Sequence, residues 1–334
     1  MEKSLLPEKR GYKANLHCHS TDSDGSKTPE QLKKDYIEQG YSILAYTDHG
    51  YLRDRSALCD ENFVALSGYE NNIIDDGNWI DCKSYHLNFY APSAEITGMT
   101  GVTESFVGYY QRGKTDKEKA ASPVKKFCNP EYSVSNVNSI VKEANERGFL
   151  VVYNHPVWSR HGGADYTGLR GLCGMEIYNN GCYLAGYEED NGYIYDQMLR
   201  DGQKLWCFAN DDNHNAVQDS FGGFNVLYPR KLDYKSVFDC IKNGELYAST
   251  GAYFRGLTVV GGKVFVGAED AAYIRMTTNG RYSCIARMKD SPLTEAVFDL
   301  NEDISYFRIT IKSVHGKKAY TRAYFRQEWS NERS

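Results

Sequence analysis

The sequence predicts an α/β protein in two parts: a parallel α/β sheet or barrel over residues 1–252, then a small antiparallel β-sandwich over residues 253–334. Three observations predict it. Short apolar strands alternate with helical stripes from residue 13 to about 250. Histidines and acids fall at the ends of those strands, where α/β barrels gather their functional groups. After residue 252 the helical period stops, and alternating strands with hairpin-type turns take over.

Residues 13–19 read as a strand. Thr28-Pro29-Glu30 reads as an N-cap followed by proline at the first helical position, and Leu32, Tyr36 and Ile37 form an apolar stripe that Gly40 stops. Strands follow at 42–46, ending in Thr47-Asp48-His49, at 63–66, running on to Glu70, and at 85–90. Val137, Ile140, Val141 and Ala144 share one face of a helix over 134–147, with Gly148 as its stop. A strand at 149–153 leads into Asn154-His155-Pro156, and another covers 175–178. A helix covers 190–201, and the strand at 205–209 ends in Asn210-Asp211-Asp212-Asn213-His214. A strand at 224–228 and a helix at 232–243 complete the first part. Residues 98–132 break the rhythm: they are polar, with a basic middle from Arg112 to Lys126, and read either as a lid or rim insertion or as a solvated excursion. In the second part, Asn279-Gly280 and His315-Gly316 are hairpin-type turns.

Bulk properties exclude several classes. The chain has 334 residues and a formal net charge of −5, so no global field draws in nucleic acid or an anionic membrane. No apolar run approaches the length of a membrane span, and the first 13 residues lack the apolar stretch of a secretory signal. Nine scattered cysteines without a CxxC read as reduced thiols, so a cytoplasmic protein is expected.

The chemistry starts at HCHSTDSDG, residues 17–25. An HxH on a strand puts both imidazoles on one face, where they can share a divalent cation, while Cys18 points to the other face. HxH alone is a weak signal. It gains strength from Asp24 in a DG turn, His49 in TDH, Glu70, His86 and His155 in or at the ends of later strands, and Asp212-x-His214. Seven of the eight histidines lie in the first part.

Read in order, HCHSTDSDG, YTDH, SGYE, YHLNFY, VVYNHP, MEIYN and DDNH resemble the PHP (polymerase and histidinol phosphatase) family of metal-dependent phosphoesterases over residues 13–252. The tail resembles that of two-domain members carrying a C-terminal β-sandwich. The resemblance implies a distorted (β/α)7 barrel and two to three divalent metals. It implies that His17, His19 and Asp212 hold the first, that Glu70 bridges it to a second completed by His86 and His155, and that Asp24, His49 and His214 hold a third. The mixed nitrogen and oxygen set suits zinc, manganese or iron. It further implies phosphoester hydrolysis by a hydroxide shared between two metals, with Glu70, Asp212 and His214 closest to the chemistry.

Around this set, Asp48 reads as an acceptor that orients a histidine or as a helix or turn cap, and Glu176 and Asn179 as supports for the ligands. Asp211 reads as a helix cap or a further support. Arg160 reads as a phosphate clamp or as a plain loop arginine, and His161 as a substrate contact or a solvated loop histidine. Trp158, Tyr85 and Tyr153 are candidates for stacking, with core packing favoured for Tyr153. The expected substrate is a small phosphorylated metabolite or nucleotide. The alternatives are a phosphodiesterase or exonuclease on short oligonucleotides, histidinol phosphatase, and a non-enzymatic binding module with a structural metal site. No membrane partner is expected.

Overall fold

Local rules place the first elements. Thr28 caps α1 (Pro29–Glu38): its hydroxyl accepts from the Gln31 N–H, the Gln31 side chain accepts from the Thr28 N–H, and proline takes the first turn. The protein is described by a computed structural model covering residues 2–78, 80–93, 98–120, 130–215 and 217–330. It is a mixed α/β structure with a large core made mostly of sheet.

An N-terminal strand, β1 (Glu2–Leu6), precedes β2 (Tyr12–Asn15), β3 (Tyr41–Tyr46), β4 (Val64–Ile74), β5 (Ser84–Tyr90), β6 (Leu150–Tyr153), β7 (Gly174–Asn179) and β8 (Trp206–Asn210). β2, β3 and β4 pair in parallel, as do β6, β7 and β8. Past their ends, the Asp212 N–H donates to the His17 carbonyl (3.0 Å) and the His19 N–H to the Asn213 carbonyl (3.1 Å), so the run of strands returns to where it started. Leu16, just past β2, buries together with Ile43, Val64, Leu66, Val152 and Phe208 of the strands around that run.

The structure differs from the expected all-parallel order at β5, which is antiparallel to both β4 and β6. The reason is connection length. β4 runs on to Ile74 and returns through residues 75–83, and a parallel return needs a crossover of about a dozen residues or more.

Residues 98–120 are not a solvated excursion. Met99, Val102 and Val107 are buried in the core beside Val137 and Val141 of the later helix. The stretch forms α2 (Glu104–Tyr110) and α3 (Asp116–Ala120), and Lys114 Nζ donates to the Thr21 carbonyl at 2.7 Å, across the HCHSTDSDG turn. Residues 121–129, the remainder of the basic stretch, lie outside the described residues. The helix α4 (Val134–Glu146) buries the four residues of its predicted face, and Gly148 takes a φ of +84° just beyond it.

β9 (Phe224–Leu227) and β10 (Leu246–Ser249) lead into β11 (Phe254–Val260), β12 (Lys263–Thr278), β13 (Ser283–Arg287), β14 (Leu293–Asp299), β15 (Tyr306–Ser313), β16 (Lys318–Thr321) and β17 (Tyr324–Phe325), whose mutual pairings are all antiparallel. The two predicted turn dipeptides join β12 to β13 and β15 to β16. β1 pairs with β11, so residues 2–6 sit with the C-terminal strands rather than with the first part. β10 pairs with both β9 and β16, so hydrogen bonding passes without a break between the parts. The eight cysteines among the described residues are free thiols. No described helix is long and apolar enough to cross a membrane.

Candidate metal centre

β2 stops short of the predicted length. At Asn15 the side chain takes over the bonding of His17, accepting from its N–H (3.3 Å) and donating to its carbonyl (3.0 Å). Both HxH imidazoles turn inward from this kink, while Cys18 packs with Tyr36 and Leu44 on the other side. Gly25 closes the following turn, where a Cβ would lie 2.3 Å from the His19 carbonyl oxygen. Strand alternation then puts Glu70 and Asn72 of β4 and His86 of β5 on the cavity side, while Tyr69, Ile73 and Leu87 go to the core.

The structure brings together all nine residues named as metal ligands, in three overlapping groups: His17, His19, Glu70 and Asp212; Glu70, His86 and His155; and His19, Asp24, His49 and His214. Glu70 belongs to two groups. So does His19, which the motifs placed in one. Asp212 Oδ1 is 3.1 Å from Nε2 of both His17 and His19, and those two nitrogens are 3.2 Å apart. Glu70 Oε1 lies 3.1 Å from His86 Nδ1 and 3.2 Å from His155 Nε2. Asp24 is 3.5 Å from His214 and 3.8 Å from His49. Donors held about 2.0–2.1 Å from one cation stand about 3.0–3.5 Å apart, so these spacings fit shared ions. His49 Nδ1 is buried 3.2 Å from Glu70 Oε2 but makes no hydrogen bond, as a nitrogen aimed at a shared ion would stand.

The electrostatics point the same way. Burial pushes the Asp212 and Glu70 carboxyls up, but surrounding histidines outweigh it, and both lie well below the ordinary carboxylate range. Burial lowers His19 and His155, yet bonding to Asp212 and Glu70 carries His19 up to about 10, and bonding to Glu70 carries His155 up to about 9. His49 is held neutral by burial and by the charge on His19, at about 3. His155 and Asp212 also have positive φ, +21° and +52°, backbone strain of the kind that collects at functional sites.

Supporting residues hold the ligands. Glu176 Oε1 is 2.8 Å from His17 Nδ1, and Oε2 accepts from the His155 N–H (3.1 Å) and from Asn179 Nδ2 (2.8 Å). Asn179 Nδ2 also reaches Asp212 Oδ2 at 3.2 Å. Partners that hydrogen-bond a metal's ligands usually contribute about 10–100-fold in metal affinity. Glu176→Ala is therefore expected to weaken metal binding by about that factor in a chelator competition, while unchanged affinity would show that His17 is oriented by other contacts.

The structure decides four open readings. Asp48 is the turn cap and orients no histidine: it accepts from the Ser20 N–H and hydroxyl and from Ser23, and pairs with Arg55 (2.9 Å). Asp211 accepts from the N–H groups of Phe221, Gly222 and Gly223 and from the Tyr36 hydroxyl, tying back the loop after β8; burial lifts its carboxyl to about 6. Arg160 leaves the cavity altogether, bonding the Ile80 carbonyl and standing 3.8 Å from Asp81. A positive φ of +60° turns the chain there. His161 is neither solvated nor among the cavity residues. It packs among Tyr85, Tyr132 and Tyr153, bonds the Tyr153 hydroxyl, and is held neutral at about 3, chiefly by burial. Tyr85 and Tyr153 are core residues, whereas Trp158 lines the cavity.

The sequence reading missed several participants. Asn154 Nδ2 donates to Glu70 Oε1 at 2.7 Å, and its place directly before His155 was a usable signal. Glu189 Oε1 accepts from the Trp158 N–H (2.6 Å), and Asp219 accepts from the N–H groups of His214 and Asn215; only tertiary contact reveals either. Tyr110 of α2 stacks on His49, with ring centroids 4.7 Å apart. The cavity over the cluster holds about 290 Å³, and no lysine or arginine lines it among the described residues. A larger cavity of about 950 Å³ opens elsewhere, around Lys13, Tyr247 and Phe254.

No family model matches the chain. A curated relative, the DNA polymerase/3′-5′ exonuclease PolX of Bacillus subtilis, is 34% identical over 83 residues, which is 20% of this chain; the chain spans 15% of that relative's length. Among solved structures, it is similar to a two-domain protein from Bacteroides vulgatus predicted to contain a PHP-like metal-dependent phosphoesterase, at 12% identity and a TM-score of 0.46, covering 93% of this chain and 94% of that one. It is also similar to a protein from Bifidobacterium adolescentis proposed as a metal-dependent phosphoesterase, at 16% identity and a TM-score of 0.40, covering 60% and 87%. An amidohydrolase from Chromobacterium violaceum shows 15% identity and a TM-score of 0.39, covering 62% and 89%.

Proposed function

We propose that the chain is a metal-dependent phosphoesterase of the PHP type that hydrolyses a small phosphoester. In this reading β2–β8 form the distorted (β/α)7 barrel and β11–β17 the β-sandwich. The observation that carries it is the sharing of Glu70 and His19 among three donor groups in one cavity at the strand ends. Bound divalent cations supply a water of lowered pKa and Lewis-acid stabilisation of phosphoryl charge. The chain does the rest. Glu70 and Asp212 present carboxylates ionised at neutral pH, and Glu176, Asn179 and Asn154 fix the angles of the ligands. His49, His86 and Tyr110 wall the cavity against bulk water.

The short-oligonucleotide reading loses support. It rested on the basic stretch and on the aromatic residues; Lys114 is tied to the Thr21 carbonyl and no lysine or arginine lines the cavity among the described residues, which leaves it the aromatic residues alone. The test is elemental analysis paired with phosphate release from sugar phosphates, nucleotides, histidinol phosphate and short oligonucleotides. Two to three ions per chain and chelator-sensitive turnover of a small ester are expected. Less than one ion after reconstitution, with no turnover of any substrate, would leave the binding-module reading in its place.

A further inference from the structure

Two aromatic side chains stand at the cavity without serving the ligand set. Tyr110, from the 98–120 stretch, lies against His49 with an interplanar angle of 30°. Trp158, from the loop after β6, lies against His86 (4.8 Å) and His155 (5.0 Å). Both are half-buried, and both face the 290 Å³ cavity. Their positions are built: Glu189 holds the Trp158 backbone, and α2 is capped by Thr103 and anchored through Val107. The apolar character continues outward. Cys182 and Ala185, in and just after the short helix α5 (Asn180–Leu184), line the cavity, and Tyr183, Leu184 and Val217 are exposed nearby. No lysine or arginine among the described lining residues is there to pair with a second phosphate or a carboxylate on the substrate.

We propose that Tyr110 and Trp158 are specificity-determining residues that select a phosphoester whose alcohol carries a planar ring. The proposal rests on the phosphoesterase reading for the seat of the phosphoryl group, but ring selection is measured without turnover. Phenylphosphonate and methylphosphonate share a non-hydrolysable anionic head and differ in the ring. Titrated into metal-loaded protein, phenylphosphonate is expected to bind about tenfold more tightly, the scale of one stacked ring. Tyr110→Leu and Trp158→Leu, which keep bulk but remove the ring, are each expected to take away most of that ratio without changing metal content. A second pair, the phosphonate analogues of AMP and of ribose 5-phosphate, tells a nucleobase from a simple aryl ring. A preference in either pair that the variants erase supports the proposal and names the ring. Equal affinities within both pairs, or a preference that neither variant moves, overturns it. The phosphate-release assay decides the hydrolase reading independently.

Discussion

Glu70→Gln is expected to lower phosphoester turnover by on the order of 10³-fold while leaving the protein folded. Glu70 is 1% exposed, and its two oxygens reach His17, His19, His49, His86 and His155 within 3.4 Å. It belongs to two of the three donor groups, so the amide removes a shared charge from both and leaves the His19, Asp24, His49 and His214 group intact. Metal content should fall to about one ion per chain, and Asp24→Asn should produce the complementary loss. Elemental analysis and phosphate release read both. Full metal content with turnover within a few-fold of the parent would show that Glu70 bridges nothing.

Arg55→Ala is expected to destabilise the protein by about 3–5 kcal/mol. Arg55 is 5% exposed and pairs with Asp22 (2.6 Å) and Asp48 (2.9 Å), the latter fully buried. Removing the guanidinium leaves two carboxylates facing each other in a poorly solvated turn, with Arg53 at 3.7 Å and Lys114 at 4.0 Å from Asp22 as weak substitutes. Asp48 also holds Ser20 and Ser23, so the turn that carries Asp24 should loosen along with it. The denaturant midpoint measures the stability loss, and chelator competition measures the loosened turn. A loss below about 1 kcal/mol would place the pair among surface-like ion pairs.

Most helices and strands were legible because their signals are local. Thr28-Pro29 starts α1 where the capping rule puts it, and the Val137, Ile140, Val141 and Ala144 face of α4 is buried as its period requires. What failed was non-local. The reversal of β5 depends on the chain between β4 and β5 being short, and the pairing of residues 2–6 depends on β11, some 250 residues away. The apolar positions Met99, Val102 and Val107 were hidden in a polar stretch, since three residues carry no period strong enough to outweigh the composition around them.

The same division runs through the site. The sequence by itself set the histidines and acids at predicted strand ends and the spacing of HxH, whose two imidazoles share a face by covalent geometry; their grouping into ligand sets came only from the resemblance to the PHP family. The sequence also determined that Glu176 and Asn179, three apart at the end of β7, would lie near the ligands. Tertiary structure alone decided that Glu70 and His19 are each shared, because sharing is set by distances between strand ends that no spacing encodes. It alone decided that Arg160 turns away toward Ile80 and that Tyr110 comes in over His49. Long side chains on loops go where packing and backbone φ send them, and those are properties of the assembled fold.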